Sequence, residues 1–392
     1  MKVEQKKKEL KSYQKTKIKY FIIRLCVFIC ICAVLLCSLF FSDFFEKHIN
    51  HMYFNFNNEI SSSLCKVHFI NVGQGDCTFI QLPDGKNLMI DTGPENSIDN
   101  VESYLKILGL NKRDKIDYLI LTHTDSDHIG NASKIINNYK IENIYIPKVY
   151  SNYEIENNLN FYDYNLVTSK LWYQTSKTIH ENVNNINYSF KDMVIESVEY
   201  NYSLIFYTPL NDKESNSNDY SPIIMLNYNH NKFMFVGDVS SKAESEFLEY
   251  YNDILNLGYF DVDVLKVSHH GSKNSTTQQF LNVVKPEKAI ISCGKENNYN
   301  HPNNETINNL VNYGCDVFRT DVSGSIVCSA KNDKIFIQTN YESFRTIYFE
   351  WWNFVVSLII IAFYITFFVK FNNKKEDENF NKNPNKKTKK SS

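Results

Sequence analysis

Residues 121–130 read LTHTDSDHIG, and six consecutive positions there hold His123, Asp125, Asp127 and His128. Neutral imidazoles mixed with carboxylates suit zinc, manganese or iron. The run follows YLIL, a wholly apolar strand-like stretch, and leads through Gly130 into a helical pattern. Its polar side chains therefore belong to a strand-to-helix loop at a sheet edge. Alternation along an extended loop sends His123, Asp125 and Asp127 one way, and His128 turns in beside Asp127. One short loop can then feed two metal subsites. Asp and Ser are also ordinary helix caps. A cap has no use for two histidines and two aspartates, so the metal reading is favoured.

Three later segments extend the pattern. FMFVGDVS puts Asp238 directly after a buried strand, where a carboxylate can bridge two cations; a Gly-Asp pair alone is also a common turn. VLKVSHHGSKNS carries His269 and His270 after another apolar strand. NNYNHPNNET adds His301 before a proline and a helix, a weak signal alone. Strands that repeatedly end in His or Asp imply one shared sheet edge.

The elements that must supply that edge are legible. Strand-like stretches fall at 64–72, 77–82, 87–91 and 116–123, with more at IENIYIP, SLIFYTP, PIIMLNYNHNKFMFVGD, DVDVLKVSHH and AIISC. A hairpin turn is expected at 229–232. Helical spacing marks 97–108, the stretch after Gly130, 166–176, 241–255 and NETINNLVNYG, closed by Gly314. Residues 149–192 are otherwise hard to read. Strands alternate with helices, and hairpins cluster in each half. The expected architecture is α/β: two mixed sheets between helices in one domain.

The HxDxDH motif, GD, HHGS and HP occur in the order of the metallo-β-lactamase superfamily. More narrowly, VGQGDCTFIQLPDGKNLMIDTG (72–93), NDYSPIIML (218–226), VLKVSHHGSKNS (264–275), NYNHP (298–302) and RTDVSGSI (319–326) resemble the metallo-hydrolase domain at the end of ComEC-type competence proteins. The resemblance covers about residues 64–330. The superfamily's usual motif is HxHxDH; Asp125 replaces the second histidine, as in the ComEC-type and teichoic-acid phosphocholine esterase branches.

The resemblance implies a four-layer αββα sandwich holding two divalent metal ions, zinc by preference and manganese as the alternative. His123, Asp125 and either His269 or His270 would hold one. Asp127, His128 and His301 would hold the other, with Asp238 bridging. No histidine between His128 and Asp238 matches the superfamily's intermediate ligand; His180 and His230 are poor substitutes. Asp76 in GQGD and Asp91 in IDTG would support the ligands from behind, with ordinary turn roles as the alternative. Two cations would turn a bridging water into hydroxide near neutral pH and steady the charge built up on attack. Asp125 and Asp127 are the catalytic candidates, Asp125 as ligand or proton relay.

The chain's ends point to a membrane. Residues 21–41 and 351–369 are apolar runs long enough to span a bilayer. Arg24 can snorkel, and Trp351 with Trp352 suits an interfacial belt. A cleaved signal peptide is the alternative for the first run. The expected layout is a basic cytoplasmic tail (1–20), a transmembrane helix (21–41), the hydrolase domain (60–340), a second helix (351–369) and a basic tail (370–392). Lysine-rich outer flanks put both termini in the cytoplasm and the catalytic domain outside the cell membrane. The nine cysteines show no CxxC spacing, and the five outside the first apolar run (Cys65, Cys77, Cys293, Cys315 and Cys328) read as small buried hydrophobes rather than a disulfide framework.

Lys+Arg total 42 and Asp+Glu 44, but residues 21–369 hold 26 basic and 39 acidic groups, a formal charge of −13. The family resemblance favours phosphodiester hydrolysis, with single-stranded DNA as one substrate. The acidic domain disfavours DNA, since tight binding draws on Lys and Arg contacts to phosphate. A local basic groove at Lys266, Lys273 and Arg319 would be needed. Ser221, Ser272 and Ser275 are candidate phosphate contacts. A non-nucleic cell-surface ester or lactone is the alternative substrate, and a catalytically inactive metal-binding sensor the alternative function. With only two spans, the chain lacks the channel helices of the competence proteins, so a transport role does not carry over.

Overall fold

The computed structural model describes residues 64–340, except 160–163, 189–190, 212, 256 and 296, together with scattered positions between 4 and 22. Contacts group Asn50–Ser343 into one unit and Met1–Ile49 with Phe344–Ser392 into another. The spans expected at 21–41 and 351–369 lie outside the described residues, apart from Ile22. Among the described residues no helix is long and apolar enough to cross a membrane.

The strands are β1 (Cys65–Phe69), β2 (Thr78–Gln81), β3 (Asn87–Ile90), β4 (Lys115–Ile120), β5 (Lys140–Ile146), β6 (Val149–Tyr150), β7 (Asn165–Leu166), β8 (Asn185–Tyr188), β9 (Val194–Ser197), β10 (Tyr202–Phe206), β11 (Ile224–Tyr228), β12 (Asn231–Phe235), β13 (Val264–Lys266), β14 (Lys288–Ile291), β15 (Asp316–Arg319), β16 (Ile326–Lys331) and β17 (Lys334–Thr339). One sheet runs β17-β16-β1-β2-β3-β4-β5-β8, the other β15-β14-β13-β12-β11-β10-β9, and β6 pairs with β7. In each large sheet a parallel set (β3-β4-β5-β8; β12-β13-β14-β15) adjoins antiparallel strands.

The helices are α1 (Ile98–Ile107), α2 (Ser126–Ile129), α3 (Ala132–Asn138), α4 (Asn152–Glu156), α5 (Lys170–Asn182), α6 (Ser241–Tyr250), α7 (Asn252–Leu255), α8 (Gln278–Val284), α9 (Asn304–Tyr313) and α10 (Thr320–Ser323). Alternation along the strands builds three apolar layers. Leu119 of β4 packs towards Tyr104 of α1, Ile135 of α3 and Trp172 of α5. Its neighbour Ile120 faces the other way, into the layer between the sheets with Phe69, Phe206 and Phe235. Met234 and Leu265 face the third layer, against Phe247 of α6, Phe280 of α8 and Leu310 of α9. Each fully buried Phe contributes about 1.5–3 kcal/mol. The result is the αββα sandwich expected of the sequence.

Local differences have physical causes. The helix expected at 166–176 runs Lys170–Asn182, because Ser169 caps it by accepting from Trp172 N. The run at 241–255 breaks into α6 and α7. The helix expected after Gly130 is α3, and a separate short helix, α2, precedes it from Ser126 and ends the extended alternation before Asp127. The five described cysteines are buried and unpaired.

Candidate metal centre

Strands β3, β4, β12, β13 and β14 all end at one rim, and the segments that follow them carry the chemistry-bearing residues. Carboxyl ends of parallel strands are where α/β proteins place ligands. Asp91 follows β3, His123 follows β4, Asp238 follows β12, and His269 with His270 follows β13. The loop between β1 and β2 closes over the rim. Its Asp76 N donates to Asp127 O at 3.1 Å, and Gly93 N donates to Asp76 O at 2.8 Å. A side chain at Gly75 would run into the Asp127 carbonyl, so this close approach requires glycine.

Hydrogen bonds fix three histidine rings the same way. His128 Nδ1 donates to Asp91 Oδ2 at 2.7 Å. His270 Nδ1 donates to the Ser292 carbonyl at 3.0 Å. Thr122 Oγ1 spends its own proton on Asp91 Oδ2 at 2.7 Å. It can therefore only accept from His123 Nδ1, 3.0 Å away, and Ser221 Oγ lies 3.2 Å from the same nitrogen. In its neutral form each ring thus keeps a bare Nε2. An outer oxygen that fixes the tautomer of a histidine is the usual support of a metal ligand.

Those three Nε2 atoms are buried without a hydrogen-bond partner, as are Asp238 Oδ1, Asp76 Oδ1 and His301 Nδ1. Buried polar atoms are normally paired, and each orphan costs about 1–3 kcal/mol. Here they converge. Asp238 Oδ1 lies 3.3 Å from His128 Nε2, and its Oδ2 lies 3.5 Å from His270 Nε2. Asp127 Oδ2 is 3.2 Å from His270 Nε2. Asp76, His128, Asp238 and His270 stand close enough for the four to hold an ion. The donor set fits a divalent cation.

The electrostatics agree. Burial disfavours a charged ring at His128, yet Asp238 and Asp91 outweigh it and hold its pKa well above the usual value. At His270 burial is likewise overcome, by Asp238 and Asp76, and the pKa is pushed up to about 10. Burial would raise the Asp238 pKa, but His128 and His270 hold it well below the usual carboxylate range. Burial and the neighbouring His128 lower that of His123. The pocket attracts positive charge, and a metal ion competes with protons for the same lone pairs.

The expected residues are distributed as follows. Asp127 and His128, successive residues on α2, enter the same cluster: Asp127 reaches His270, and His128 reaches Asp238. His123 Nε2 lies 3.9 Å from Asp125 Oδ2, and its ring is tilted 53° to that of His128, centroids 4.1 Å apart. Asp125 is half exposed and makes no side-chain cap to α2, so capping does not account for it. His270 is 1% exposed and faces inward, whereas His269 is 29% exposed at the mouth. His301 sits beside His269, centroids 5.3 Å apart. His180 pairs with Glu154 and Tyr188, and His230 is in the exposed β11–β12 turn.

Asp76 gives one oxygen to the buried Lys266 Nζ at 2.7 Å and turns the other towards His270 Nδ1 at 3.5 Å. That removes Lys266 from any DNA-binding groove. Arg319 forks onto Asp321, which leaves Lys273 as the exposed member of the trio. Ser221, Ser272 and Ser275 are buried, with hydroxyls engaged inside the protein, so they do not face a substrate. Thr122, the Ser292 carbonyl and the Lys266–Asp76 pair escape sequence reasoning, since ordinary residue types carry them.

Residues 70–157 match the metallo-beta-lactamase superfamily model. The chain is 27% identical to ComE operon protein 3 of Bacillus subtilis over 69% of this chain and 34% of that protein. It is 29% identical to Recombination protein 2 of Haemophilus influenzae over 76% of this chain and 33% of that protein. It spans about a third of the length of these curated relatives. The solved structure of Igni18, a metallo hydrolase from Ignicoccus hospitalis, is 15% identical and covers 68% of this chain and 100% of that one, with a TM-score of 0.43. Residues 70–157 are thus similar to the metallo-β-lactamase superfamily, and the chain resembles a segment of the ComEC-type competence proteins.

Proposed function

We propose that this protein is a membrane-anchored, metal-dependent hydrolase that cleaves phosphodiesters with two divalent ions, zinc or manganese, at the rim of the sandwich. The observation that carries the reading is the convergence of Nε2 atoms from His128 and His270 on Asp238, whose two oxygens face different histidines, with the orphaned Nε2 of His123 beside His128. A carboxylate so placed suits a bridge between two ions. When bound, such ions polarise an ester oxygen and acidify a water.

The chain's own residues do the rest. Asp91, Thr122 and Ser292 hold the rings in one tautomer. Asp127 and Asp125 extend the carboxylate set towards the mouth, and the half-exposed Asp125 is placed to pass a proton to solvent. The apolar runs at 21–41 and 351–369, with lysine-rich outer flanks, favour a domain outside the cell membrane. A surface phosphodiester suits the acidic domain better than DNA, because Lys266 and Arg319 are paired internally. DNA is the second reading, favoured by the relative named for recombination.

The test is metal content of the purified full chain, followed by assays on bis-p-nitrophenyl phosphate, single-stranded DNA and a lactone in parallel. Bound metal with diester hydrolysis supports the reading. Bound metal with lactone cleavage alone moves the protein to the ester class. Stoichiometric absence of metal would sink the enzyme reading.

A further inference from the structure

His269 and His270 are adjacent, yet the structure treats them oppositely. Both have backbone in the left-handed region, φ 47° and 52°. Two successive residues of this kind cost about 1–3 kcal/mol each and persist where the surroundings enforce them. Here His269 N donates to Gly237 O at 3.1 Å and Ser272 N donates to His269 O at 2.8 Å, which pins the turn. The rings end up at 75° to each other. One is buried with its Nε2 inward; the other stands at the mouth.

Their protons differ as well. His270 donates through Nδ1 and leaves Nε2 bare. His269 Nδ1 instead faces Asn218 Nδ2 at 3.4 Å. The Asn218 amide turns Nδ2 to the ring and Oδ1 to Ser217 Oγ, 3.3 Å away. An amide N–H meets only a bare ring nitrogen, so in neutral His269 the proton sits on Nε2. An Nε2 that carries a proton has no lone pair for a metal. The nearest carboxylate oxygen to it, Asp238 Oδ2, is 3.7 Å away, too far to take that proton as a hydrogen bond. The N–H is left over for something that enters the mouth.

We propose that His269 is not a metal ligand but a neutral N–H donor to a phosphoryl oxygen of the substrate, with Asn218 as the positioning residue that sets its tautomer. The ring of His301, at 80° and 5.3 Å, supports its orientation. A donor at this place meets an oxygen held against the metal pocket, where fixed N–H groups stabilise charge better than water does. The inference rests on the phosphodiesterase reading for its substrate, but its test separates the two.

The full chain is compared with His269→Ala, His269→Gln, Asn218→Ala and His270→Ala. Three quantities are read: metal content after equilibrium dialysis, inorganic phosphate affinity of the metal-loaded protein, and kcat/KM on bis-p-nitrophenyl phosphate. His269→Ala is expected to keep wild-type metal content while phosphate binds about tenfold more weakly and kcat/KM falls about 100-fold. His269→Gln restores part of both, because its amide can donate from the same side. Asn218→Ala lowers phosphate affinity by about threefold with metal content unchanged. His270→Ala loses metal. Loss of a metal equivalent in both His269 variants, or unchanged phosphate affinity in His269→Ala, overturns the proposal. If wild type holds metal but cleaves no diester, the proposed function fails while the phosphate titration still decides the role of His269.

Discussion

Replacing Asp91 with asparagine tests the outer support of the pocket with a change of one atom. Asp91 is 1% exposed and takes three hydrogen bonds: Thr122 N to Oδ1 at 2.8 Å, and Thr122 Oγ1 and His128 Nδ1 to Oδ2, both at 2.7 Å. Asparagine has one acceptor oxygen. With that oxygen towards His128, its NH2 opposes the Thr122 N–H. With the oxygen towards Thr122 N, the NH2 opposes His128 Nδ1–H and drives the proton to Nε2, where a metal would bind. Either way a buried donor is orphaned, which costs about 1–3 kcal/mol. Loss of such an outer partner weakens metal binding about 10- to 100-fold, or about 1.4–2.8 kcal/mol. Competition against a chromogenic chelator measures the affinity, and melting in excess EDTA measures the metal-free fold separately. Metal affinity within about threefold of wild type would refute the reasoning, because His128 would then not bind metal through the nitrogen that Asp91 prepares.

Asp238→Ala should abolish metal retention and hydrolysis together, since it removes the carboxylate that faces both His128 and His270; full activity in a steady-state assay would exclude this site. Protons compete with metal at His270, whose pKa is pushed up to about 10, and at His128, which is also raised. Affinity should therefore climb between pH 6 and pH 9 with net proton release, checked by calorimetry in buffers of different ionisation enthalpy. The same shifts make a stability prediction. A raised folded pKa stabilises the metal-free protein fully below the unfolded value, about 6.5, and the gain is lost as pH climbs through the folded one. The metal-free Tm should fall from pH 7 towards pH 10, and the loaded protein should not follow it. Lys266→Met should cost about 3–5 kcal/mol in denaturant unfolding by stranding Asp76, and adding Asp76→Leu should recover much of it.

Much of the fold was legible because its signals are local. Apolar strands such as YLIL and MFV, and Gly314 at the end of NETINNLVNYG, mark elements without reference to anything distant. Boundaries were less legible. Nothing in TDSDHIG announces that helical geometry begins at Ser126, where the extended alternation of the loop stops. Serines near HHGS look available in the sequence, but packing between the rim loops spends their hydroxyls.

For this protein the sequence alone determined which residue types meet at one edge, because strand ends with His and Asp must gather wherever parallel strands align. It could not say which nitrogen of each ring faces inward. Residues far apart in the chain decide that: Asp91 for His128, Ser292 for His270, Asn218 for His269. Nor could it show that Lys266, three residues before HHG, points into the layer between the sheets and is bound to Asp76. The candidate residues are written in the chain, while their orientation and charge balance arise only when the two sheets close on each other.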